Sequence, residues 1–405
     1  MTARGLVLLV AAVQFVNILD FMMVMPLGPD FAIALGIPTS RIGVLGGAYT
    51  LSAAVAGILG ARILDRFDRR QALAIAMLGL VVSTALGGLS IGLFTLLGAR
   101  LLAGAFGGPA TSVALAIVAD VVPPPERGKA IGTVMTAFSV ASIVGVPAGL
   151  RLSQWLGWRA PFFGVALLGL VLTVVAFRLM PSLRGHLRAS DDGRPRSERL
   201  TFDPLVRATL ANTACVMLGV FALVPNISTF LQNNLGYPRE RLDLIYLVGG
   251  LASFVANRPV GMLVDRFGAT RLVLAGTVIF AVAVHFGYVD PVSANHVIYV
   301  FPLLMLSATV RGVPINTLAS RVPAPAERAR FMSALNATQH LSSAAGALGA
   351  SLLLEADAQG RLSGMATVAL LSIGISLLVP AITWFIERGV VARDLPRGAP
   401  RPREA

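Results

Sequence analysis

The sequence contains little charge and almost no cysteine. Only 13% of its 405 residues are Asp, Glu, Lys or Arg, whereas soluble domains carry about 25%. The single cysteine, Cys215, excludes a disulfide within the chain, and no Cys/His spacing suggests a metal site. A phosphate-binding loop, a zinc-protease signature and an ATP-binding domain are also missing. The sequence therefore predicts neither an enzyme nor a bound metal or cofactor.

Apolar residues take the place of charge. Hydrophobic side chains make up 56% of the chain, and the mean hydropathy is +0.78. A helix that crosses a membrane needs about 20 predominantly apolar residues. Twelve segments meet this requirement: 5–27, 42–61, 71–92, 95–119, 130–150, 159–179, 206–231, 244–264, 272–289, 297–318, 331–354 and 363–386. We expect an all-α membrane protein with twelve transmembrane helices.

The basic residues are distributed unevenly between the loops. If the amino terminus lies inside the cell, 24 of the 33 Lys and Arg residues fall in cytoplasmic segments, six fall outside and three lie within spans. Lys and Arg accumulate on the cytoplasmic side of short loops. We therefore expect a multi-pass protein of a bacterial-type cytoplasmic (inner) membrane with both termini cytoplasmic. The net charge of +13 then reflects topology and attraction to anionic lipid, and we expect no nucleic-acid partner.

Two short motifs recur at nearly the same offset. "LDRFDRR" at 64–70 returns as "VDRFGAT" at 264–270, and "VPPPERGKA" at 122–130 returns as "VPAPAERARF" at 322–331. Two six-helix repeats related by an axis along the membrane normal form a transporter architecture, with the substrate site near the midplane between the halves. We predict two pseudo-symmetric six-helix halves, a cytoplasmic linker between them and a cytoplasmic Arg/Pro-rich tail, with the halves at 1–179 and 206–387, the linker at 180–205 and the tail at 388–405.

These motifs resemble those of the major facilitator superfamily, and within it the drug:proton antiporters and sugar-efflux permeases of bacteria. The family signature Gly-x-Leu-x-Asp-Arg-x-Gly-Arg-Arg/Lys reads "ARILDRFDRR" at 61–70, with both glycines replaced, whereas the second copy keeps them as Gly261 and Gly268. By this resemblance, the charges of the two copies and an acid ending the fourth helix form a cytoplasmic gate, with the residues Asp65, Arg66, Arg69, Asp120, Asp265 and Arg266. The alternative is that these charges only mark cytoplasmic turns.

The fourth and fifth helices carry further parts of the resemblance. Arg100, Gly104 and Gly107 meet the signature Arg-x-x-x-Gly-x-x-Gly, and glycines at this spacing let a neighbouring helix approach closely. The resemblance associates Arg100 with proton coupling, and a structural anchor is the alternative. The fifth helix contains "GVPAG", a variant of the antiporters' Gly-Pro signature, which adds three residues expected to serve helix packing and kinking: Gly145, Pro147 and Gly149.

Gln14, Asn17 and Asp20 form a polar stripe on the first helix, because residues three apart lie on one helix face. A charge at mid-bilayer depth costs roughly 2.5 to 3.5 kcal/mol, so Asp20 requires a function. We predict that Asp20 faces water and substrate in the central cavity and carries the coupled proton, with Asn17 and Gln14 beside it. The alternative is a structural aspartate at a helix break near Pro26.

Polar residues in the second half are further candidates for the cavity, namely Asn226, Gln339 and His340. Arg258 and Arg311 lie nearer the cytoplasmic ends of their spans and are expected to snorkel toward the surface. One cavity carboxylate favours a cationic or neutral substrate, although arginines in the spans would reverse that preference.

We therefore predict a secondary active transporter, working as a monomer, that exports small amphipathic molecules by proton-coupled alternating access. Its partners are a drug-like or sugar-like small molecule, protons and the lipid bilayer. Proton-coupled uptake of a sugar or another nutrient is the first alternative, because these residues do not fix the sign of coupling. A membrane enzyme or receptor is the second, and neither a catalytic constellation nor an added soluble domain supports it.

Overall fold

The computed structural model describes residues 2–64, 66–123, 126–184, 201–323 and 327–394. Twelve long helices follow one another along these ranges. They are α1 Ala3–Val24, α2 Ile42–Leu64, α3 Arg69–Gly88, α4 Leu93–Val121, α5 127–156, α6 Ala160–Leu179, α7 Pro204–Asn234, α8 Leu242–Phe267, α9 Ala269–Val289, α10 Val297–Arg321, α11 Arg328–Leu353 and α12 Met365–Asp394.

The helix pattern confirms the predicted all-α fold with twelve long helices. Eleven of the helices are long and apolar enough to cross a membrane, and α11 falls short because it carries Asn336, Gln339 and His340. The prediction for the tail needs correction, since α12 continues to Asp394, beyond the expected boundary at 387. Residues 185–200 of the predicted linker and 395–405 of the tail lie outside the described residues.

Three of the helices leave regular α geometry. A π-helical turn, Ala141–Gly145, interrupts α5 just before Pro147. In α7, the 3₁₀ turn Val224–Asn226 contains a proline and is followed by the π-helical turn Phe230–Asn234, and α9 ends in the π-helical turn His285–Val289. A proline in a helix removes one N–H donor, so the irregular turns in α5 and α7 lie where the regular hydrogen-bond ladder cannot continue.

Helices α1 to α6 form the N half and α7 to α12 form the C half. Because twelve helices run up and down, Ala3 and Asp394 lie at the same end of the bundle, which we call the terminal end; the opposite end is the distal end. At the distal end, the short helix Gly28–Leu35 follows α1. An antiparallel hairpin of two short strands, β1 Glu355–Ala356 and β2 Leu362–Ser363, joins α11 to α12.

Glycines of α4 and α5 set the spacing inside the N half. A Cβ atom built on Gly104 of α4 would lie 2.2 Å from the main-chain oxygen of Tyr49 in α2. Gly145 and Gly149 of α5 face α1 in the same way, where added Cβ atoms would lie 2.7 Å from Leu19 and 3.1 Å from a methionine sulfur. Helices α2 and α4, and α1 and α5, therefore pack at distances that a larger residue would not allow.

The two halves touch near the distal end and separate toward the terminal end. Gly43 of α2 packs so closely on α11 that an added Cβ would lie 2.5 Å from a serine oxygen, and Gly250 of α8 packs on Ile143 of α5. Toward the terminal end, no glycine of the described residues makes such a close contact between the halves, and Phe138 of α5 and Phe254 of α8 are 52% and 48% exposed. From this distribution of contacts we infer that a cleft between the halves opens toward the terminal end.

Candidate functional site

Asp20 of α1 and Arg100 of α4 form an ion pair inside the N half. Nη1 of Arg100 lies 3.1 Å from Oδ2 of Asp20, and Nη2 lies 3.2 Å from Oδ1, so the guanidinium and the carboxylate meet through two parallel hydrogen bonds. Thr84 of α3 donates a hydrogen bond of 2.7 Å to Oδ1. The pair thus ties three helices together at one point.

Neither partner reaches solvent, since Asp20 is 0% and Arg100 is 1% exposed. The guanidinium lies 5.6 Å from the ring centroid of Phe162 in α6 and 5.9 Å from that of Tyr49. The prediction that Asp20 faces water and substrate is therefore wrong for this conformation. The reason is that the guanidinium of Arg100, in the same half, pairs with the carboxylate of Asp20 and holds it inside the helix bundle. Breaking a buried ion pair costs about 3–5 kcal/mol.

The other two residues of the polar stripe also face α4. Asn17 donates hydrogen bonds to the main-chain oxygen of Gly107 at 2.9 Å and to Oγ1 of Thr111 at 2.7 Å, and it accepts one of 3.0 Å from the Tyr49 hydroxyl. Gln14 donates to the same Thr111 oxygen at 3.2 Å. Gly107 is required here because a Cβ would lie 2.7 Å from Oδ1 of Asn17. The expectation that Asn17 and Gln14 line the cleft is wrong, because both side chains are buried and donate hydrogen bonds within the N half.

Two ion pairs join the halves at the distal end. Asp30, in the short helix after α1, accepts hydrogen bonds from Nε and Nη2 of Arg239 at 3.2 and 2.8 Å. Asp243, in the first turn of α8, accepts one of 2.6 Å from Nε of Arg151 in α5. Each half supplies one acid and one base. We call Asp30, Arg151, Arg239 and Asp243 the distal latch.

Further hydrogen bonds between described residues of the two halves lie at the same end. Ser228 of α7 donates to the main-chain oxygen of Pro26 at 2.7 Å, and Thr39 donates to that of Gly360 at 3.0 Å. Sequence reasoning did not identify the latch, because its partners are far apart in the chain and leave no local pattern. Its only signal is that the distal loops contain acids as well as bases.

At the terminal end, Nε of Arg69 lies 3.1 Å from Oδ2 of Asp120, which connects the start of α3 to the end of α4. Both residues belong to the N half. Of the other predicted gate residues, Asp65 lies outside the described residues, and Arg66 is exposed. Asp265 and Arg266 are exposed in the last turn of α8. Of the five predicted gate residues that the structure describes, Arg69 and Asp120 are thus brought together.

Asp68 occupies the place of the second signature glycine and caps α3. Its carboxylate accepts hydrogen bonds from the main-chain N–H groups of Arg70 at 2.9 Å and Leu183 at 3.0 Å, and from the Ser182 hydroxyl at 2.5 Å. Burial by itself would raise the pKa of Asp68, but these hydrogen bonds outweigh it and hold the pKa below its usual value. The glycine replacement therefore fastens the segment after α6 to the start of α3.

The predicted cavity residues of the C half lie in different surroundings. Asn226 is 0% exposed in the 3₁₀ turn of α7, so the expectation that it lines the cleft is wrong for this conformation, because the turn at the adjacent proline directs it inward. Gln339 and His340 of α11 are partly exposed. Neither side chain forms a hydrogen bond with another described residue.

The two remaining arginines within the long helices differ in exposure. Arg311 of α10 is 1% exposed, lies 4.0 Å from the ring centroid of Phe280 in α9, and donates a hydrogen bond of 3.3 Å to Ser376 of α12. The expectation that Arg311 snorkels is wrong, because α10 directs its side chain between α9 and α12. Arg258 of α8 is exposed. In the described part of the chain, no group of His, Cys, Asp or Glu side chains has the arrangement of a metal site.

Comparison with known proteins gives consistent matches. The model of the Major Facilitator Superfamily matches residues 10–347 and 209–404. A chloramphenicol resistance protein of Streptomyces lividans is 29% identical over 273 residues, which cover 67% of this chain and 69% of that protein. The purine ribonucleoside efflux pump NepI of Escherichia coli is 26% identical over 267 residues, which cover 66% of this chain but less than two thirds, 65%, of that pump.

A solved structure extends the likeness to the whole fold. The crystal structure of a D-xylose-proton symporter superimposes with a TM-score of 0.76 at 15% identity, covering 95% of this chain and 98% of that one. This agreement confirms the arrangement of twelve helices in two halves.

Proposed function

Because this chain belongs to the major facilitator superfamily of membrane transporters, we propose that it exports small amphipathic molecules by proton-coupled alternating access. The observation that supports this proposal is the buried ion pair of Asp20 and Arg100, whose exposed fractions are 0% and 1%. A carboxylate inside a transmembrane helix is expensive to keep. Among the described carboxylates, Asp20 has the smallest exposed fraction, 0% against 3% for Asp68 and 8% for Asp243, so it is the candidate for carrying a proton.

The terminal end faces the cytoplasm in this proposal. Basic residues cluster in the segments at that end, as the bias of Lys and Arg toward cytoplasmic loops requires. The conformation described here is then closed to the outside by the distal latch and open to the inside through the cleft. Alternating access requires a second conformation in which the latch opens and the terminal end closes. In this proposal, Arg69 and Asp120, which pair within the N half, contribute to that closure.

Coupling acts through the charge of Asp20. A proton on the carboxylate removes the charge that holds Arg100, so the contact between α1 and α4 weakens. Two residues after the end of α1, Pro26 accepts the hydrogen bond from Ser228 of the C half, and Asp30 of the latch follows shortly after. Protonation of Asp20 is therefore linked along α1 to the contacts that keep the distal end closed.

Export is the proposed direction, supported by relatives named as a chloramphenicol resistance protein and a purine ribonucleoside efflux pump. We propose a monomer in a bacterial inner membrane with both termini cytoplasmic. Proton-coupled uptake remains the alternative, because exchange and co-transport require the same protonation site. They differ only in which of the substrate-bound and proton-bound forms can change between the inward-open and outward-open conformations.

The test is substrate-driven proton movement in vesicles that contain the purified protein, with chloramphenicol and purine ribonucleosides as first probes. Asp20→Asn removes the charge but leaves Arg100 unpaired, so a second variant combines Asp20→Asn with Arg100→Gln and leaves no buried charge. We expect both variants to lose proton movement. Asp290→Asn, which removes an exposed carboxylate at the distal end, is the control and should retain it.

Two results would contradict the proposal. Unchanged proton movement in the folded double variant would mean that Asp20 is structural. Proton and substrate movement in the same direction, with the native chain, would favour uptake by symport. Thermal unfolding of each variant in detergent shows whether a loss of transport reflects a loss of folding.

A further inference from the structure

Two phenylalanine rings connect the buried ion pair to the distal latch. The guanidinium carbon of Arg100 lies 5.6 Å from the ring centroid of Phe162 in α6, and this ring lies 5.9 Å from the ring of Phe31. Both rings are 0% exposed. Phe31 directly follows Asp30, which belongs to the latch. Packed side chains therefore lead without a gap from Arg100 to the residue beside Asp30.

Phe162 has little room to move without displacing a neighbour. A Cβ built on Gly87 of α3 would lie 2.8 Å from Cε1 of Phe162, and one built on Gly88 would lie 3.1 Å from Cβ of Phe162. The ring also lies 5.9 Å from the ring of Trp158, at an interplanar angle of 88°. Close-packed interiors have low compressibility and transmit strain. A shift of the Phe162 ring must therefore be passed to another side chain.

Trp158 is held in place from a second side. The guanidinium carbon of Arg159 lies 4.5 Å from the Trp158 ring centroid, and Nη2 of Arg159 donates a hydrogen bond of 3.2 Å to the main-chain oxygen of Ser90. These residues all belong to the N half. Of the two rings that contact Phe162, Phe31 is therefore the one with more freedom to move.

The short helix Gly28–Leu35 lies between the two halves. It ends at Gly36, whose φ of +60° favours glycine. Its first residue packs on the C half, since an added Cβ there would lie 3.2 Å from Oγ1 of Thr229 in α7. Phe31 packs the same helix on the N half, and Asp30 binds the C half through the latch. A displacement of Phe31 therefore acts on the contact between the halves.

Loss of the Asp20 charge changes the balance of contacts around Arg100. The guanidinium keeps its charge, and its other neighbours are the main-chain oxygen of Asp20 at 3.4 Å and the rings of Phe162 and Tyr49. A cation within about 6 Å of a ring centroid is attracted to the ring face. We therefore expect the guanidinium to move toward these rings when Asp20 takes up a proton.

From these contacts we infer that Phe162 and Phe31 are positioning residues that transmit the charge state of Asp20 to the distal latch. Arg100 displaces Phe162, Phe162 displaces Phe31, and the short helix then moves Asp30 away from its partner. We call the two phenylalanines the aromatic link. This inference rests on the proposed function and deepens it, because it assigns most of the coupling to the aromatic link rather than to the main chain of α1.

The experiment measures the distance between the short helix and the C half by pulsed electron paramagnetic resonance. Spin labels are attached at Ile33→Cys and at Leu352→Cys in α11, which are 86% and 87% exposed, in a chain that also carries Cys215→Ser. Asp20→Asn removes the charge as a proton does. We expect Asp20→Asn to increase the population with a long distance by about fivefold or more, as a coupling between two sites typically does.

Phe162→Met and Phe31→Met break the aromatic link at different points. Methionine keeps an apolar side chain but is flexible and has no ring face. In either variant, adding Asp20→Asn should change the population by less than about twofold. Combining both methionine substitutions should cause no further loss, because the two rings act in series. A merely structural role would lower the melting temperature in detergent and leave the effect of Asp20→Asn unchanged.

The matched control is Phe163→Met. Phe163 is the next residue in α6 and is 42% exposed, so this variant should keep the full effect of Asp20→Asn. An effect of about fivefold that persists in Phe162→Met or in Phe31→Met would overturn the inference, and coupling along α1 would remain. If one of the two variants does not fold, the other still tests the link. Absence of any effect of Asp20→Asn in the otherwise native chain would instead remove the coupling role of Asp20 in the proposed function, and this inference with it.

Discussion

The Asp30–Arg239 pair of the distal latch allows a measurement of how much free energy the latch contributes to the conformation with a closed distal end. Asp30 accepts two hydrogen bonds from Arg239, and the two side chains are 24% and 19% exposed. Exposed ion pairs contribute about 0.2–1 kcal/mol, and a partly buried pair with two charge-assisted bonds contributes more, about 1–2 kcal/mol. We therefore expect Asp30→Asn to shift the equilibrium away from the conformation described here by roughly five- to thirtyfold.

Pulsed electron paramagnetic resonance can measure this shift. Spin labels at Gly132→Cys in α5 and Gly261→Cys in α8 report the width of the terminal opening, because an added Cβ meets no atom within 4 Å at either glycine. The labels are attached in a Cys215→Ser background, which removes the chain's own cysteine. A weakened latch should increase the population with a short distance between the labels, since the terminal end closes when the distal end opens.

The control and the rescue follow from the geometry. Glu240 is exposed next to Arg239 and takes no part in the pair, so Glu240→Gln should leave the distances unchanged. Exchange of the two charges, by Asp30→Arg with Arg239→Asp, should restore the native distribution. If Asp30→Asn has no more effect than Glu240→Gln, the ion pair does not hold the distal end closed and the reasoning is refuted.

Three further predictions concern packing and pH. Gly104→Ala should destabilise the N half by about 1–3 kcal/mol, because the added Cβ would lie 2.2 Å from the main-chain oxygen of Tyr49. The control is Gly98→Ala on the same helix, where an added Cβ meets no atom within 4 Å. Thermal unfolding in detergent compares the two variants, and equal melting temperatures would contradict the packing argument. Asp68→Asn should cost up to about 1 kcal/mol at pH 7, because the amide still caps α3 but the negative charge at the helix N-terminus is lost. The pKa of Asp68 is lowered in the folded state, so this stabilisation is present above the pKa of the unfolded state and is lost as the pH falls through the pKa of the folded state. The difference in melting temperature between Asp68→Asn and the native chain should therefore disappear in acid. A difference that persists in acid would refute a role for the charge. Gly43→Leu should hold α2 and α11 apart at the distal end, which the spin-label distances would report as terminal closure, and a native distribution in that variant would show that the contact is not required for the closed distal end.

The sequence was sufficient for the architecture because the signals for a membrane bundle are local or periodic. Apolar segments of membrane length predicted the helices, and the recurrence of "LDRFDRR" as "VDRFGAT" predicted two related halves. The glycines also carried information, since Gly104, Gly145 and Gly149 lie where two helices approach closely. Each of these signals depends on a residue and its near neighbours along one helix.

The tertiary structure decided which way the polar side chains point. The spacing of Gln14, Asn17 and Asp20 showed that they share one face of α1, but it did not show which helix that face contacts. In the structure, this face contacts Arg100 and α4. Arg311 and Arg258 looked alike in sequence, yet one is enclosed and the other is exposed. The distal latch joins residues that are 92 or 209 positions apart. Such pairings depend on how whole helices are rotated and on which ends of the two halves meet, and these are properties of the packed bundle that no single segment contains.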